Sequence, residues 1–227
     1  MGVGGWLLGF VLGMRHSLEP DHLAAVGTLL PDGPAGRRGG ILGAFWGLGH
    51  TLSLLLLGGL FAALQARMPA RLSDGLELGV AGMLLVLGLR ALASAAREPA
   101  SAPATLHAHH GIAHRHGDPG AHVHLGSWTF AWRPLLVGLV HGAAGSGVFT
   151  ALVLAGLHST LSRLVYIALF GLGSLLGMAA LSGAAGASMG LFGGGRGVRR
   201  GLSLVAGALS LGLGIAWGWP LVSRLFA

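Results

Sequence analysis

Charged residues and thiols are scarce in this 227-residue sequence. Only 9% of its residues are charged, whereas a soluble domain carries about 25%. The hydrophobic share is 53% and the mean hydropathy is +0.73, so the composition predicts a protein that crosses a membrane several times. Cysteine is absent, which excludes disulfides, thiolate metal sites and thiol relays.

Other absences exclude some classes of function. Lysine is missing, and all 14 basic residues are arginines scattered at the ends of apolar segments. The net charge of +7 therefore reflects membrane topology and predicts no nucleic-acid partner. No basic stretch precedes the first apolar run, as it would in a cleavable signal peptide, so we expect this run to be retained as a helix. The sequence has no nucleotide-binding motif and no His-Glu-x-x-His, and we predict that the protein is not an enzyme.

Apolar segments of about 20 residues or more predict an all-α membrane protein with six transmembrane helices. The glycine-rich composition, with 43 glycines, fits helices that pack closely through small residues. The predicted spans are Gly4–Leu30, Gly39–Ala66, Leu76–Ala96, Arg133–Leu157, Leu161–Leu181 and Leu202–Leu221.

A shift of about 125 residues brings the two halves of the sequence into register. Each half then holds three spans, an odd number, so the halves enter the membrane in opposite directions, an architecture typical of transporters. We predict a first repeat over 1–97, a loop over 98–131 and a second repeat over 132–227. The matching segments, one for each span, are Gly13–His16 with Gly138–His141, Gly47–His50 with Gly171–Ser174, and Val80–Gly82 with Val205–Gly207.

Arginine counts predict the orientation, since cytoplasmic loops carry the excess of basic residues. Eight arginines flank one side and four the other, which predicts a multi-pass protein of the inner (plasma) membrane with both termini outside and the 98–131 loop cytoplasmic. The eight are Arg37, Arg38, Arg97, Arg115, Arg133, Arg196, Arg199 and Arg200, and the four are Arg67, Arg71, Arg163 and Arg224.

The predicted loop is rich in histidine and proline. We find no helical or strand period in it and interpret it as a mobile loop. Two interpretations stay open: a loop that collects or senses metal through neutral imidazoles, or a low-complexity linker. The seven histidines are His107, His109, His110, His114, His116, His122 and His124.

The first span contains a polar cluster, Arg15–His22, at a depth where each ionisable group costs about 2.5–3.5 kcal/mol. In an unbroken helix His16 and His22 would lie about 240° apart, at about 100° per residue, and could not bind one ion. Pro20 resolves this, because it breaks a helix and suits the first turn of a new one. We therefore expect a break near Ser17–Glu19 that lets His16, Asp21 and His22 form a metal site.

Two further histidines lie inside apolar spans. His50 is the only ionisable residue between Gly39 and Gln65, and His141 precedes glycines that predict a bent or unwound fourth helix, as the counterpart of the first break. Either residue could serve helix packing instead. Beside the first cluster, however, both are candidate metal ligands or pathway residues.

These motifs resemble the nickel/cobalt transporter superfamily, and most closely its six-span, UreH-like branch. The resemblance rests on Met14–Val26 with its His-x4-Asp-His pattern, on Trp46–Thr51 and on Leu139–Ser146. It implies metal recognition by His16, Asp21 and His22, with His50 beside them. The chain departs from the larger permeases, which have eight spans and an acidic motif in a later helix.

We therefore predict a transporter of divalent transition metals, nickel or cobalt first and zinc as a further cargo, with a site of His16, Asp21, His22, His50 and His141. The expected partners are the metal ion, membrane lipid and a metallochaperone or metalloenzyme maturation partner, and no resident cofactor is expected. The main alternative is a membrane accessory protein that delivers nickel to an enzyme such as urease without independent transport. A metallohydrolase and an exporter of small organic cations are weaker alternatives.

Overall fold

Helices make up nearly all of the described structure. A computed structural model describes residues 3–29, 37–64, 68–97, 106–109, 112–115, 123–125, 128–130, 132–144, 157, 159–192 and 196–226. Within these ranges the helices are α1 (Val3–His16), α2 (Pro20–Leu29), α3 (Arg37–Ser53), a π-helical turn (Leu54–Gly58), α4 (Gly59–Ala63), α5 (Ala70–Arg97), α6 (Trp132–Ala144), α7 (Thr160–Phe192) and α8 (Arg196–Phe226).

The predicted break in the first span is confirmed. Helix α1 ends at His16 and α2 begins with Pro20, which has no backbone donor and needs none in a first helical turn. The backbone amides of Leu18 and Glu19 donate to the carbonyl oxygens of Arg15 and His16, each at 3.0 Å. These turn-like bonds satisfy groups that the interrupted helix leaves open.

Four helices are long and apolar enough to cross a membrane: Arg38–Phe61, Ala70–Arg97, Thr160–Met189 and Gly197–Leu225. They coincide with four of the six predicted spans and make the chain a multi-pass membrane protein. The first predicted span consists of α1 and α2. The fourth predicted span begins with the 13-residue α6. Its residues 145–156, where most of the predicted bend falls, lie outside the described residues. The count of six spans stays a prediction.

The helices pack through close approaches of backbone. Helix α3 packs against α6 and α7, α1 packs against α7, and α5 packs against α8, while α2 contacts both α5 and α8. A Cβ atom at Gly13 would collide with the carbonyl oxygen of Phe170, and one at Gly138 would collide with that of Trp46. Glycine is therefore required where α1 crosses α7 and where α6 crosses α3.

Buried apolar side chains form three clusters, two of which include an aromatic residue next to a histidine. The first consists of Leu54, Leu157, Tyr166, Ile167 and Phe170. The second consists of Ala25, Val26, Trp46 and Met178. The polar residues described in the next section are in contact with both.

The prediction of a loop without regular structure over 98–131 is wrong for part of that segment. Strands β1 (Leu106–His109) and β2 (Ile112–Arg115) form an antiparallel hairpin, and β3 (Val123–Leu125) pairs with β4 (Trp128–Phe130) in a second one. Apolar and polar residues alternate in Leu106–His109 and Val123–Leu125, which is the period of a strand. His110, His116 and His122 lie outside the described residues.

Candidate metal centre

Four histidines from four helical segments meet in the interior of the protein. His16 is the last residue of α1, His22 lies in the first turn of α2, and His50 and His141 lie in α3 and α6. At 1.5 Å per residue, His50 is about 20 Å from each end of the combined α3–α4 helix. These side chains are therefore near the middle of the membrane-spanning bundle.

All of these imidazoles are buried. His22, His50 and His141 have 0% of their surface exposed, Asp21 has 3% and His16 has 5%. The ring centroids of His16 and His22 are 4.5 Å apart, and those of His16 and His50 are 5.1 Å apart. Packing this many polar rings together in an apolar bundle is costly unless they are hydrogen-bonded or bind a ligand.

His16, His22 and His50 form the first possible ligand group. One ligand atom from each lies within 4.8 Å of the others. In the part of the chain that the structure describes, Nε2 of His16, Nε2 of His22 and both ring nitrogens of His50 have no hydrogen-bond partner. Such buried, unpaired nitrogens are rare in proteins unless something outside the chain satisfies them.

Asp21 forms a second group with His22 and His141, and one ligand atom from each of these residues lies within 4.8 Å of the others. Its Oδ1 is 3.0 Å from Nδ1 of His22, and its Oδ2 is 2.6 Å from Nε2 of His141. An ionised carboxylate only accepts hydrogen bonds, so these contacts fit imidazoles that donate from Nδ1 of His22 and from Nε2 of His141. In a neutral ring this tautomer leaves the lone pair of the opposite nitrogen, Nε2 of His22 or Nδ1 of His141, available to a metal ion.

The structure therefore divides the predicted site differently from the sequence. The sequence grouped His16, Asp21 and His22 as the core, whereas His16 joins His50 and His22, and Asp21 joins His141 and His22. Both carboxylate oxygens of Asp21 are engaged by imidazole. Asp21 thus has the position of a residue that fixes the tautomer and orientation of ligand histidines, as carboxylates beside metal sites commonly do.

Glu19 contacts Nδ1 of His16 in the same way that Asp21 contacts Nδ1 of His22. The pair of Glu19 and His16 was not predicted from the sequence. Oε1 of Glu19 is 3.0 Å from Nδ1 of His16, which leaves Nε2 of that ring free. The two residues are three positions apart across the helix break. A carboxylate three residues from a candidate ligand is a pattern the sequence contains, and it could have predicted this pair.

Two aromatic side chains flank the imidazoles, and neither was predicted to have a role there. Trp46 stacks on His22, with 5.4 Å between ring centroids and 23° between ring planes. Phe170 lies 5.4 Å from His16 on another side of the cluster. Both belong to the apolar clusters described above, so water is excluded from these faces of the imidazoles.

This donor set has a clear chemical preference. Neutral imidazole nitrogens suit nickel, cobalt, zinc and copper, whereas magnesium and calcium favour oxygen ligands. Carboxylates at Nδ1 of His16 and of His22 orient these two rings, as carboxylates beside metal-binding histidines commonly do. Gly145, Ser146 and Gly147, which follow His141 in the chain, lie outside the described residues.

Comparisons with known proteins identify related sequences. The chain is 30% identical to the urease accessory protein UreH of Bacillus sp. (strain TB-90) over 177 residues, which cover 75% of the chain and 71% of that protein. It is 28% identical to the chloroplast protein FOR GROWTH AND FERTILITY 2 of Arabidopsis thaliana over 176 residues, or 75% of the chain and 44% of the plant protein. A second Arabidopsis protein, FOR GROWTH AND FERTILITY 1, is 34% identical over 88 residues, 37% of the chain and 24% of that protein.

No family model matches the chain, and no solved structure matches it. None of the three related proteins is named for an enzymatic activity, in agreement with the prediction that this chain is not an enzyme. The identity to the Bacillus protein extends over most of both sequences, and its extent supports a common family. The chain belongs to the family of the urease accessory protein UreH.

Proposed function

We propose that this protein binds a divalent transition metal, nickel or cobalt first, in the middle of the membrane and moves it across. One observation carries the proposal: ligand atoms of His16, His22 and His50 lie within 4.8 Å of one another, all three residues are buried, and each has an unpaired ring nitrogen. The resemblance of the Met14–Val26 motif to nickel/cobalt transporters agrees with it.

In this proposal His16, His22 and His50 are the ligands, and Asp21 and Glu19 hold two of them in the binding tautomer. His141 shares Asp21 with His22 and is 4.1 Å from it between ring centroids, so it completes or lines the site. The metal ion is the cargo. Zinc fits the same donors and is a further expected cargo.

The transport step would use two inverted repeats. Reciprocal contacts support them: Gly13 faces the Phe170 carbonyl while its counterpart Gly138 faces that of Trp46, and Trp46 and Phe170 are themselves counterparts at a shift of 124. Movement of one repeat against the other would then open the site to each side in turn. We place both termini outside the inner membrane and the His-rich hairpins inside, as the arginine distribution predicts.

Metal flux into proteoliposomes tests the proposal directly. Wild-type protein should carry Ni²⁺ or Co²⁺, His16→Ala should abolish flux, and Asp21→Asn should lower metal affinity about 10–100-fold, as loss of a residue that orients a ligand does. Ser210→Ala is the control, because it removes a buried hydrogen bond to the Leu84 carbonyl between α5 and α8. Equal flux in wild type, His16→Ala and Asp21→Asn would refute the site.

A second function is favoured by the name of the Bacillus relative, a urease accessory protein. The chain would then hold nickel and pass it to a metallochaperone or to a metalloenzyme under maturation, without carrying it across alone. This alternative predicts metal binding in detergent but no flux in purified proteoliposomes. It also predicts that activation of urease by this protein needs a second protein.

A further inference from the structure

An open cavity lies beside the histidine cluster, with Asp21 in its lining. It has a volume of ≈ 360 Å³ and lies between α2, α5 and α8. Its inner wall includes Asp21, which contacts His22 and His141. Its outer wall includes Glu77 near the beginning of α5 and Arg224 near the end of α8.

Carboxylates dominate the charge of this cavity. Glu19, Asp21 and Glu77 line it, and Arg224 is the single basic residue among the described lining residues. The Arg224 guanidinium is 3.8 Å from the Asp74 carboxylate, which offsets its charge. A carboxylate exposed to lipid at this depth would be costly, whereas a carboxylate in an open cavity can be hydrated. Three carboxylates beside one arginine that is itself paired favour cations in this cavity.

Glu19 joins the cavity to the histidines. It lines the cavity, 43% of its side chain is exposed, and its Oε1 is 3.0 Å from Nδ1 of His16. A cation that reaches Glu19 would therefore lie next to His16, whose Nε2 has no hydrogen-bond partner among the described residues. Glu77 is farther out, and its Oε1 is 3.4 Å from the Ser73 hydroxyl.

We propose that this cavity is the route by which the metal ion reaches the buried histidines, and that Glu77 draws the ion into it. The inference rests on the proposed function, and it adds a direction of access and a pathway residue. The cavity extends from Asp21 toward the end of the bundle where α5 begins and α8 ends. The Ala25, Val26, Trp46 and Met178 cluster packs against the other side of His22.

The absence of cysteine makes the cavity testable without any metal. Ala216→Cys introduces a thiol in the cavity wall. Ile215→Cys is a matched control, because Ile215 is exposed on the same membrane-spanning helix but lies outside the described cavity lining, so that its thiol would face lipid, where thiolate formation is disfavoured. Membrane-impermeant cationic and anionic methanethiosulfonates of similar size are added from one side at a time. We expect the cysteine at 216 to react from one side only, with the cationic reagent at least 5-fold faster, and the cysteine at 215 to react much more slowly.

Glu77→Gln in the Ala216→Cys background should lower the ratio of the cationic to the anionic reaction rate toward 1. Glu77→Asp should keep most of that ratio. In flux assays Glu77→Gln should raise the half-saturating Ni²⁺ or Co²⁺ concentration about 3–10-fold while metal affinity in detergent stays unchanged. Equal reactivity at 216 and 215, or equal rates for the two reagents in the Ala216→Cys parent, would overturn the route. Because the labelling needs no metal, these results stand apart from a failure of metal binding at the histidines.

Discussion

The two halves of the protein share their packing but differ in their chemistry. Where α1 crosses α7, Gly13 lies against the Phe170 carbonyl, and where α6 crosses α3, Gly138 lies against the Trp46 carbonyl. The polar groups are unevenly divided. The first half supplies three histidines and two carboxylates, whereas the described part of the second half supplies His141 to the cluster.

The difference is clearest at one pair of positions. His50 of α3 corresponds to Ser174 of α7 at a shift of 124. His50 is buried, and neither of its ring nitrogens has a hydrogen-bond partner among the described residues, whereas the hydroxyl of Ser174 donates to the Gly13 carbonyl at 3.2 Å. Under the proposed function, this position would bind metal in one half and serve helix packing in the other.

The largest expected effect separates these two positions. His50→Ala removes a ligand and should lower affinity for Co²⁺ by about 100-fold or more, since even residues that only orient ligands contribute 10–100-fold. Ser174→Ala removes one neutral hydrogen bond, worth about 1 kcal/mol of folding stability, and should leave affinity within 2-fold. Titration calorimetry in detergent measures both. Equal losses of affinity would contradict the assignment of metal binding to the first half.

A smaller effect should be equal in the two halves. Gly13→Ala and Gly138→Ala each force a methyl group against a backbone carbonyl, and each should cost about 1–3 kcal/mol of stability. Gly79→Ala is the control, because in the described structure a Cβ there would meet no neighbouring helix within 4 Å, and it should be neutral or slightly stabilising. Thermal unfolding in detergent measures all three. A large cost at only one of the two crossings would argue against equivalent repeats.

The smallest effect concerns the histidine-rich segment. Deletion of 106–125 removes hairpin strands β1 and β2 and strand β3, none of which contributes a residue to the cluster. Transport at saturating metal should be retained, while its dependence on metal concentration should change if the segment collects metal. Flux measured from nanomolar to millimolar Ni²⁺ would test this. Complete loss of flux would make the segment part of the pathway.

The sequence predicted the helix break because its cause is local. Pro20 cannot continue α1, and no distant contact is needed to know this. Membrane spans follow from length and apolar composition in the same way. Helices α5 and α7 run beyond the predicted spans Leu76–Ala96 and Leu161–Leu181.

The division of the site needed three-dimensional information. Sequence spacing could not show that Asp21 bridges His22 and His141, because His141 is 120 residues away. It also could not show that His16 and His50 are near neighbours. Two missed features depend only on residues that are close in the sequence, so both could have been predicted from it. They are the Glu19–His16 pair and the alternating strand Leu106–His109.

The most direct test of the metal centre is X-ray absorption spectroscopy on the Co²⁺-loaded protein in detergent. We expect one bound ion with several imidazole ligands in the wild type, and one imidazole fewer in His50→Gln. Lower pH should release the metal, because only neutral imidazole binds it. A cobalt ion with only oxygen ligands, or with a spectrum that His50→Gln leaves unchanged, would contradict the three-histidine site.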